Sequence, residues 1–148
     1  LQEKSPEDSE LFQMRFDLFE TNLKVLDSWI KRQMAGIPQT NRMILVDHAA
    51  MTYFADHYGL EIRSLALDHY TEVDMKTFQE ISDWSSRNNV NALFISSLRD
   101  QESFAQIKND LELEHVQKYY VDQLPSQTTP AYEEMMVQNT LAIVQALK

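Results

Sequence analysis

The feature that most constrains the fold is a repeated alternation between short apolar segments and segments of helical periodicity. The clearest apolar segment is Met43–Val46, an uninterrupted run typical of a strand buried on both faces of a parallel sheet. Further strands are predicted at 60–67, 90–95 and 114–121, the last one more polar and expected at an edge. Strands that alternate with helices in this way lie parallel and are joined by right-handed crossovers. The sequence therefore predicts an α/β fold with helices on both faces of a four-stranded parallel sheet.

A long N-terminal helix precedes this alternation. Between residues 6 and 36, apolar side chains recur at alternating steps of four and three and so share one stripe: Phe12, Phe16, Phe19, Leu23, Leu26 and Ile30. Pro6 suits the first turn, and Gly36 followed by Pro38 suits the end. About 28 residues at ~1.5 Å each make the helix roughly 42 Å long. It is expected either to be a core or coiled-coil helix, or to pack along one domain and reach towards another.

Composition narrows the class of protein. The chain has 148 residues, of which 43% are hydrophobic, which suits one domain with a core. Its net charge is −10, which favours cations as ligands and makes nucleic acid and anionic membranes poor partners. The sequence contains no cysteine, so thiolate metal sites, disulfides and thiol nucleophiles are excluded. No run of about 18 apolar residues occurs, so no transmembrane helix is predicted.

Several enzyme and signalling classes are also disfavoured. The chain has two glycines, Gly36 and Gly59, whose number and spacing exclude the glycine-rich loops that bind nucleotides, and no serine lies in a nucleophile elbow. Ser96 and Ser97 with His48 could suggest hydrolysis, but any α/β domain offers such a set. Residues 43–47 are similar to the first strand of a phosphoacceptor receiver domain. That class is rejected because His48 breaks the acidic pair and Ser96 ends the third strand.

Polar residues follow each predicted strand at its carboxyl end, where open parallel sheets bind ligands. These residues are Asp47, His48, Asp68, His69, Ser96, Ser97 and Asp122. Imidazole together with carboxylate oxygen suits zinc, manganese or iron. The alternatives at the two most interesting positions are a helix-capping role for His48 and a turn or helix-start role for Asp122.

Residues 43–50, Met-Ile-Leu-Val-Asp-His-Ala-Ala, continue through Tyr53-Phe54-Ala55 to Tyr58-Gly59-Leu60. This string resembles the second half of the metal-binding solute-binding proteins of ABC transporters. In that family a strand ends in a His or Glu ligand, and an Ala-containing helix with an aromatic pair and then Tyr-Gly follow. The N-terminal helix resembles the rigid helix that links the family's two lobes, and residues 132–141 resemble its closing helix. The resemblance covers roughly residues 5–148.

The resemblance implies a division of the chain and a pair of ligands. Residues 1–38 correspond to the linking helix and residues 39–148 to the C-terminal α/β lobe. His48 matches the third metal ligand and Asp122 the fourth. Ser96 departs from the family, which often has Glu there. The family's first two ligands are histidines of an N-terminal lobe that is missing here.

The resemblance therefore implies a binding protein and not an enzyme. The expected function is to capture zinc, manganese or iron and deliver it to an ABC permease. The expected location is extracytoplasmic, in the periplasm or lipid-anchored on the outer face of the cell membrane, with a leader not present in this chain. Two ligands leave a transition-metal site incomplete, so this half alone is expected to bind weakly.

Other functions remain open at this point. A homodimer through the stripe at Phe12, Phe16 and Phe19 is expected if that stripe is uncovered. The alternative function is a stand-alone α/β interaction or dimerisation domain that binds no metal. A third hypothesis is a self-contained metallohydrolase that uses His48, His69 and Asp122.

Overall fold

A computed structural model describes residues 3–65, 74–125 and 131–148. Within these ranges four strands form one parallel sheet in the order β2-β1-β3-β4: β1 (Met43–Val46), β2 (Glu61–Ser64), β3 (Ala92–Ser96) and β4 (His115–Tyr119). The helices described are α1 (Ser9–Ala35), α2 (Thr52–Tyr58), α3 (Met75–Asn88), α4 (Ala105–Asp110) and α5 (Ala131–Leu147). The predicted α/β fold with a parallel sheet is confirmed, and β4 lies at an edge as expected.

The sheet is covered on both faces because successive side chains of a strand point in opposite directions. Ile44 and Val46 of β1 enter a core formed with α1, α2 and α5. Leu45, between them, enters a second core formed with α3 and α4. Residues of β3 divide in the same way, which explains why β1 and residues 92–95 of β3 are all apolar.

Helix α1 joins the first core only at its C-terminal end. Ile30 and Met34 are buried there, whereas Phe16 is 59% exposed and Phe19 is 48% exposed. The helix begins at Ser9 after a 3₁₀ turn at Pro6–Asp8, three residues later than the proline suggested. The N-terminal part of the predicted stripe is therefore uncovered in this chain, and homodimerisation through it stays a prediction. None of the helices in the described ranges is long and apolar enough to span a membrane.

A polar cluster fastens α1 to α2. Asp27 accepts hydrogen bonds from Lys31 Nζ at 2.8 Å, His57 Nε2 at 2.9 Å and Tyr58 Oη at 3.1 Å. The bonds from Lys31 and then His57 lower the pKa of Asp27 to about 2. Burial, and then the bond to Asp27, raise the pKa of Tyr58 to about 12. Across the neutral pH range Asp27 therefore stays ionised and Tyr58 stays protonated, as this contact requires.

The aromatic pair of α2 divides between core and solvent. Phe54 packs against the first core, but Tyr53 is 92% exposed, so only one ring of the pair faces inward. Adjacent helical positions are about 100° apart, and the core-facing side of this short helix is already taken by Phe54, Ala55 and Tyr58.

The segment after β4 is tied to α5 by a buried amide. Asn139 Nδ2 donates to the carbonyl oxygen of Tyr120 at 2.8 Å, and its Oδ1 accepts from the Tyr120 amide at 2.7 Å. Asn139 is buried, so the two bonds satisfy its amide inside the protein. They also fix the start of the loop that carries Asp122.

Replacing this amide is expected to destabilise the fold. Asn139→Ala removes both bonds to Tyr120 and should lower the free energy of unfolding by about 2–4 kcal/mol. Urea denaturation measures the change, with Gln138→Ala as the control. Gln138 bonds Glu134 within the same helix, so its loss should cost less than about 0.5 kcal/mol. Equal effects of the two substitutions would contradict the assignment of a structural role to Asn139.

Candidate metal centre

The centre is built around the Asp47 carboxylate, which follows β1 directly and is 0% exposed. Its Oδ1 accepts from the His48 amide and His48 Nδ1, both at 2.9 Å, and from Tyr119 Oη at 3.0 Å. Its Oδ2 accepts from the Ser96 amide and from Arg99 Nε, both at 3.0 Å. A buried carboxylate is stable only when it is paired and hydrogen-bonded in this way.

Tyr119 acts as a neutral donor in this network. Burial, and then the negative charge of Asp47, raise the pKa of the Tyr119 hydroxyl well above its usual value. The hydroxyl therefore keeps its proton at neutral pH and points it towards the carboxylate. Because Tyr119 ends β4 and Asp47 follows β1, this bond joins two strands that do not pair with each other.

The bond to Asp47 selects the tautomer of His48. With the proton on Nδ1 donated to Asp47, the lone pair of the neutral ring lies on Nε2. That nitrogen is 3.7 Å from Oδ1 of Asp122, and the two side chains are 26% and 33% exposed. A histidine oriented by a carboxylate, with its other nitrogen accessible, is the arrangement that protein metal sites commonly use.

Asp122 is held by the end of β3. Ser96 Oγ donates to Asp122 Oδ2 at 2.6 Å, and Ser96 itself is buried. The carboxylate is therefore turned so that Oδ1 is the oxygen near His48. Two ligands about 2.0–2.2 Å from a tetrahedral ion lie about 3.4 Å apart, so a separation of 3.7 Å needs little adjustment to hold one.

The described residues offer two donors at this place. Across residues 3–65, 74–125 and 131–148, no group of three or more His, Cys, Asp or Glu side chains is arranged to hold a metal ion. The pair is also open to solvent on one side, as the partial exposure of both side chains indicates. The arrangement can bind a cation weakly, or form half of a larger site.

The structure brings together the two predicted ligands, His48 and Asp122, and adds Ser96 between them. Ser97 lies beside the site, where its Oγ accepts from Gln123. Asp68 and His69 lie outside the described residues. The role that the metallohydrolase hypothesis assigns to His69 therefore stays a prediction.

Sequence reasoning placed Asp47 at the strand end but missed its role, and it missed Tyr119 and Arg99 altogether. The direct attachment of Asp47 to His48 after a buried strand was an available signal. Tyr119 and Arg99 lie far from Asp47 in the sequence, and no local pattern marks them.

Comparison with known proteins identifies the family. A family model, ZnuA, described as zinc-uptake complex component A, periplasmic, matches residues 1–146. The chain therefore belongs to the ZnuA family of metal-binding solute-binding proteins, which confirms the resemblance seen in the sequence.

Individual relatives agree with this assignment. The manganese-binding lipoprotein MntA of Bacillus subtilis is 26% identical over an alignment 151 positions long, which covers 97% of this chain and 49% of MntA. The zinc-binding protein TroA of Treponema pallidum is 26% identical over 87 residues, which cover 58% of this chain and 28% of TroA. The chain thus spans about half the length of MntA, and a smaller share of TroA is matched.

Solved structures share the fold. The periplasmic zinc-binding protein TroA from Treponema pallidum superposes with a TM-score of 0.85 at 21% identity, covering 99% of this chain and 56% of that one. A manganese-bound periplasmic metal-binding protein from Candidatus Liberibacter asiaticus gives a TM-score of 0.83 at 14% identity, with coverage of 99% and 56%.

The network around Asp47 predicts a graded loss of stability. Asp47→Ala leaves the Ser96 amide and the Tyr119 hydroxyl without their buried acceptor and should cost about 3–5 kcal/mol. Tyr119→Phe removes one bond to the carboxylate and should cost about 1.5–3 kcal/mol. Urea denaturation measures both changes, and Asp56→Ala, on the exposed side of α2, is the matched control. An Asp47→Ala effect no larger than the control would contradict the proposed network.

Proposed function

We propose that this chain supplies two metal ligands, His48 Nε2 and Asp122 Oδ1, to a solute-binding protein that captures a divalent transition metal for an ABC importer. In this proposal residues 1–38 form the helix that links two lobes, and residues 39–148 form the C-terminal lobe. The metal is the cargo of the protein, and binding alone is its chemistry. Membership of the ZnuA family supports the proposal.

The observation that carries the proposal is that Asp47, His48 and Asp122 lie next to one another, in this order, at the carboxyl ends of the strands. Asp47 occupies Nδ1 of the His48 ring, and Nε2 faces the Asp122 carboxylate. A neutral imidazole beside a carboxylate is a donor pair suited to borderline cations such as zinc, manganese and iron. An ion pair that serves stability alone does not need a free lone pair at a solvent-accessible position. His48 Nε2 offers such a lone pair, which favours a role as a ligand.

The names of two relatives narrow the choice of metal ion proposed for this chain. TroA is named as zinc-binding and MntA as manganese-binding, which supports zinc or manganese as the ion for this chain. Iron rests on donor chemistry alone. The net charge of −10 favours approach of a cation to an open site, though salt screens this attraction.

Capture in this proposal is ligand exchange between water and protein. The ion gives up water for His48 Nε2 and Asp122 Oδ1, and an N-terminal lobe supplies the remaining donors. Structural coverage of 56% of the TroA chain is consistent with a further lobe. Separation of the lobes would then release the ion to the permease. In this proposal the protein works outside the cytoplasm, in the periplasm or lipid-anchored at the outer face of the membrane.

Calorimetric titration of the metal-free chain with Zn²⁺ and with Mn²⁺ tests the ligand pair. His48→Ala and Asp122→Asn should each weaken binding by at least about 10-fold, because the first removes a donor and the second removes the negative charge of the other. His115→Ala is the matched control. Its Nε2 also lies 3.7 Å from a carboxylate, that of Glu114, but on the exposed edge strand, so binding should be unchanged.

The contrary outcomes are distinct. Wild-type binding that survives both substitutions would place the metal elsewhere in the chain. A wild-type chain that binds neither ion at millimolar concentration would contradict the proposal for this lobe. Tight binding lost in both variants would keep the ligand pair and indicate further donors, from a second copy or from His69.

A further inference from the structure

Ser96 contacts both halves of the candidate centre. Its backbone amide donates to Asp47 Oδ2 at 3.0 Å, and its hydroxyl donates to Asp122 Oδ2 at 2.6 Å. Asp47 in turn fixes the His48 ring. One buried residue therefore sets the position of the imidazole through its main chain and that of the carboxylate through its side chain.

The direction of the hydroxyl bond follows from its neighbours. The Leu98 amide approaches Ser96 Oγ at 3.4 Å as a donor, so Oγ acts as the acceptor there. An ionised carboxylate can only accept, so the single hydroxyl proton is directed to Asp122. A length of 2.6 Å lies in the short range of O–H···O⁻ bonds, which are the stronger kind.

Because of this bond the two oxygens of Asp122 have different neighbours. Oδ2 is engaged by Ser96, while Oδ1 lies near His48 Nε2. A carboxylate that chelates an ion must bring both oxygens to similar distances from it. Rotating Asp122 to do so would stretch or break the bond to a buried hydroxyl that is itself fixed at the end of β3.

We propose that Ser96 is a specificity-determining positioning residue, which presents Asp122 as a one-oxygen ligand and so favours zinc over manganese. The proposal rests on the function proposed above. Zinc is satisfied by four ligands in a tetrahedron, and a single carboxylate oxygen suits that geometry. Manganese prefers six, mostly oxygen, ligands, so a carboxylate limited to one oxygen serves it less well.

Zinc binds most such sites more tightly than manganese in any case, so the ratio of affinities between variants is the informative quantity. Ser96→Ala keeps the amide bond to Asp47 and removes only the hydroxyl bond to Asp122. Zinc affinity should fall by about 10-fold, in the range found when a group that orients a ligand is lost. Manganese affinity should fall less, because the released Oδ2 becomes available to chelate it.

Competition with a chromophoric chelator measures the dissociation constants of both ions. The ratio of the manganese constant to the zinc constant should fall about 3-fold or more in Ser96→Ala. Ser96→Thr, which retains a hydroxyl, should keep the wild-type ratio. Ser97→Ala is the matched control, since its hydroxyl accepts from Gln123 and bonds neither ligand.

X-ray absorption provides a readout that a merely structural role would not change. Manganese bound to Ser96→Ala should show the short metal–carbon distance of a chelating carboxylate, and manganese bound to the wild type should not. Ser96→Val, which matches Ser96→Thr in size but has no hydroxyl, should change the ratio in the same direction if the alanine variant folds poorly.

Equal weakening of both ions in Ser96→Ala, or an unchanged ratio, would overturn the inference. If His48→Ala and Asp122→Asn still weakened binding as predicted above, the proposed function would stand while the role of Ser96 failed. If the wild-type chain bound neither ion, both proposals would fail together.

Discussion

A charged carboxylate that is completely buried is costly, and Asp47 is 0% exposed. The arrangement of the residues at the carboxyl edge of the sheet depends on the bonds that compensate its charge. Its partners come from the ends of three strands: His48 after β1, Ser96 and Arg99 at and after β3, and Tyr119 at the end of β4. A shift of any of these segments would remove one or more of the bonds that compensate this buried charge. The network therefore favours one alignment of the three strand ends, and the candidate ligands inherit that alignment.

The order of the sheet turns this local requirement into a site. Because β3 lies between β1 and β4, the segments after β1 and β4 lie on either side of the Ser96 position, and all three end at the same edge. Residues separated by dozens of positions in the sequence thus meet: Ser96 is 49 residues from Asp47 and 26 from Asp122. The Asn139 amide holds the strand end from behind, and the site is left open towards solvent.

The sequence predicted the parts of this structure that local patterns encode. Apolar runs and helical spacing identified the strands and helices, and strand-end polarity together with a family resemblance singled out His48 and Asp122. Tyr119 escaped notice because its meeting with Asp47, 72 residues away, depends on strand order and register. Ser96 was regarded as a departure from the family, since nothing local shows that its hydroxyl reaches Asp122. The sequence also did not predict how much of α1 is buried, because an apolar stripe does not show which of its residues pack against the rest of the protein.

The tautomer of His48 tests the central claim most directly, because metal binding at Nε2 requires the proton to lie on Nδ1. Long-range ¹H–¹⁵N correlation spectra of the metal-free chain at neutral pH distinguish the two neutral forms, and His48→Ala assigns the signal. We expect His48 to show the Nδ1–H form, with its Nε2 resonance shifting when Zn²⁺ is added and the His115 resonances unchanged. A protonated Nε2 in the neutral ring, or a zinc response absent from His48, would contradict the account.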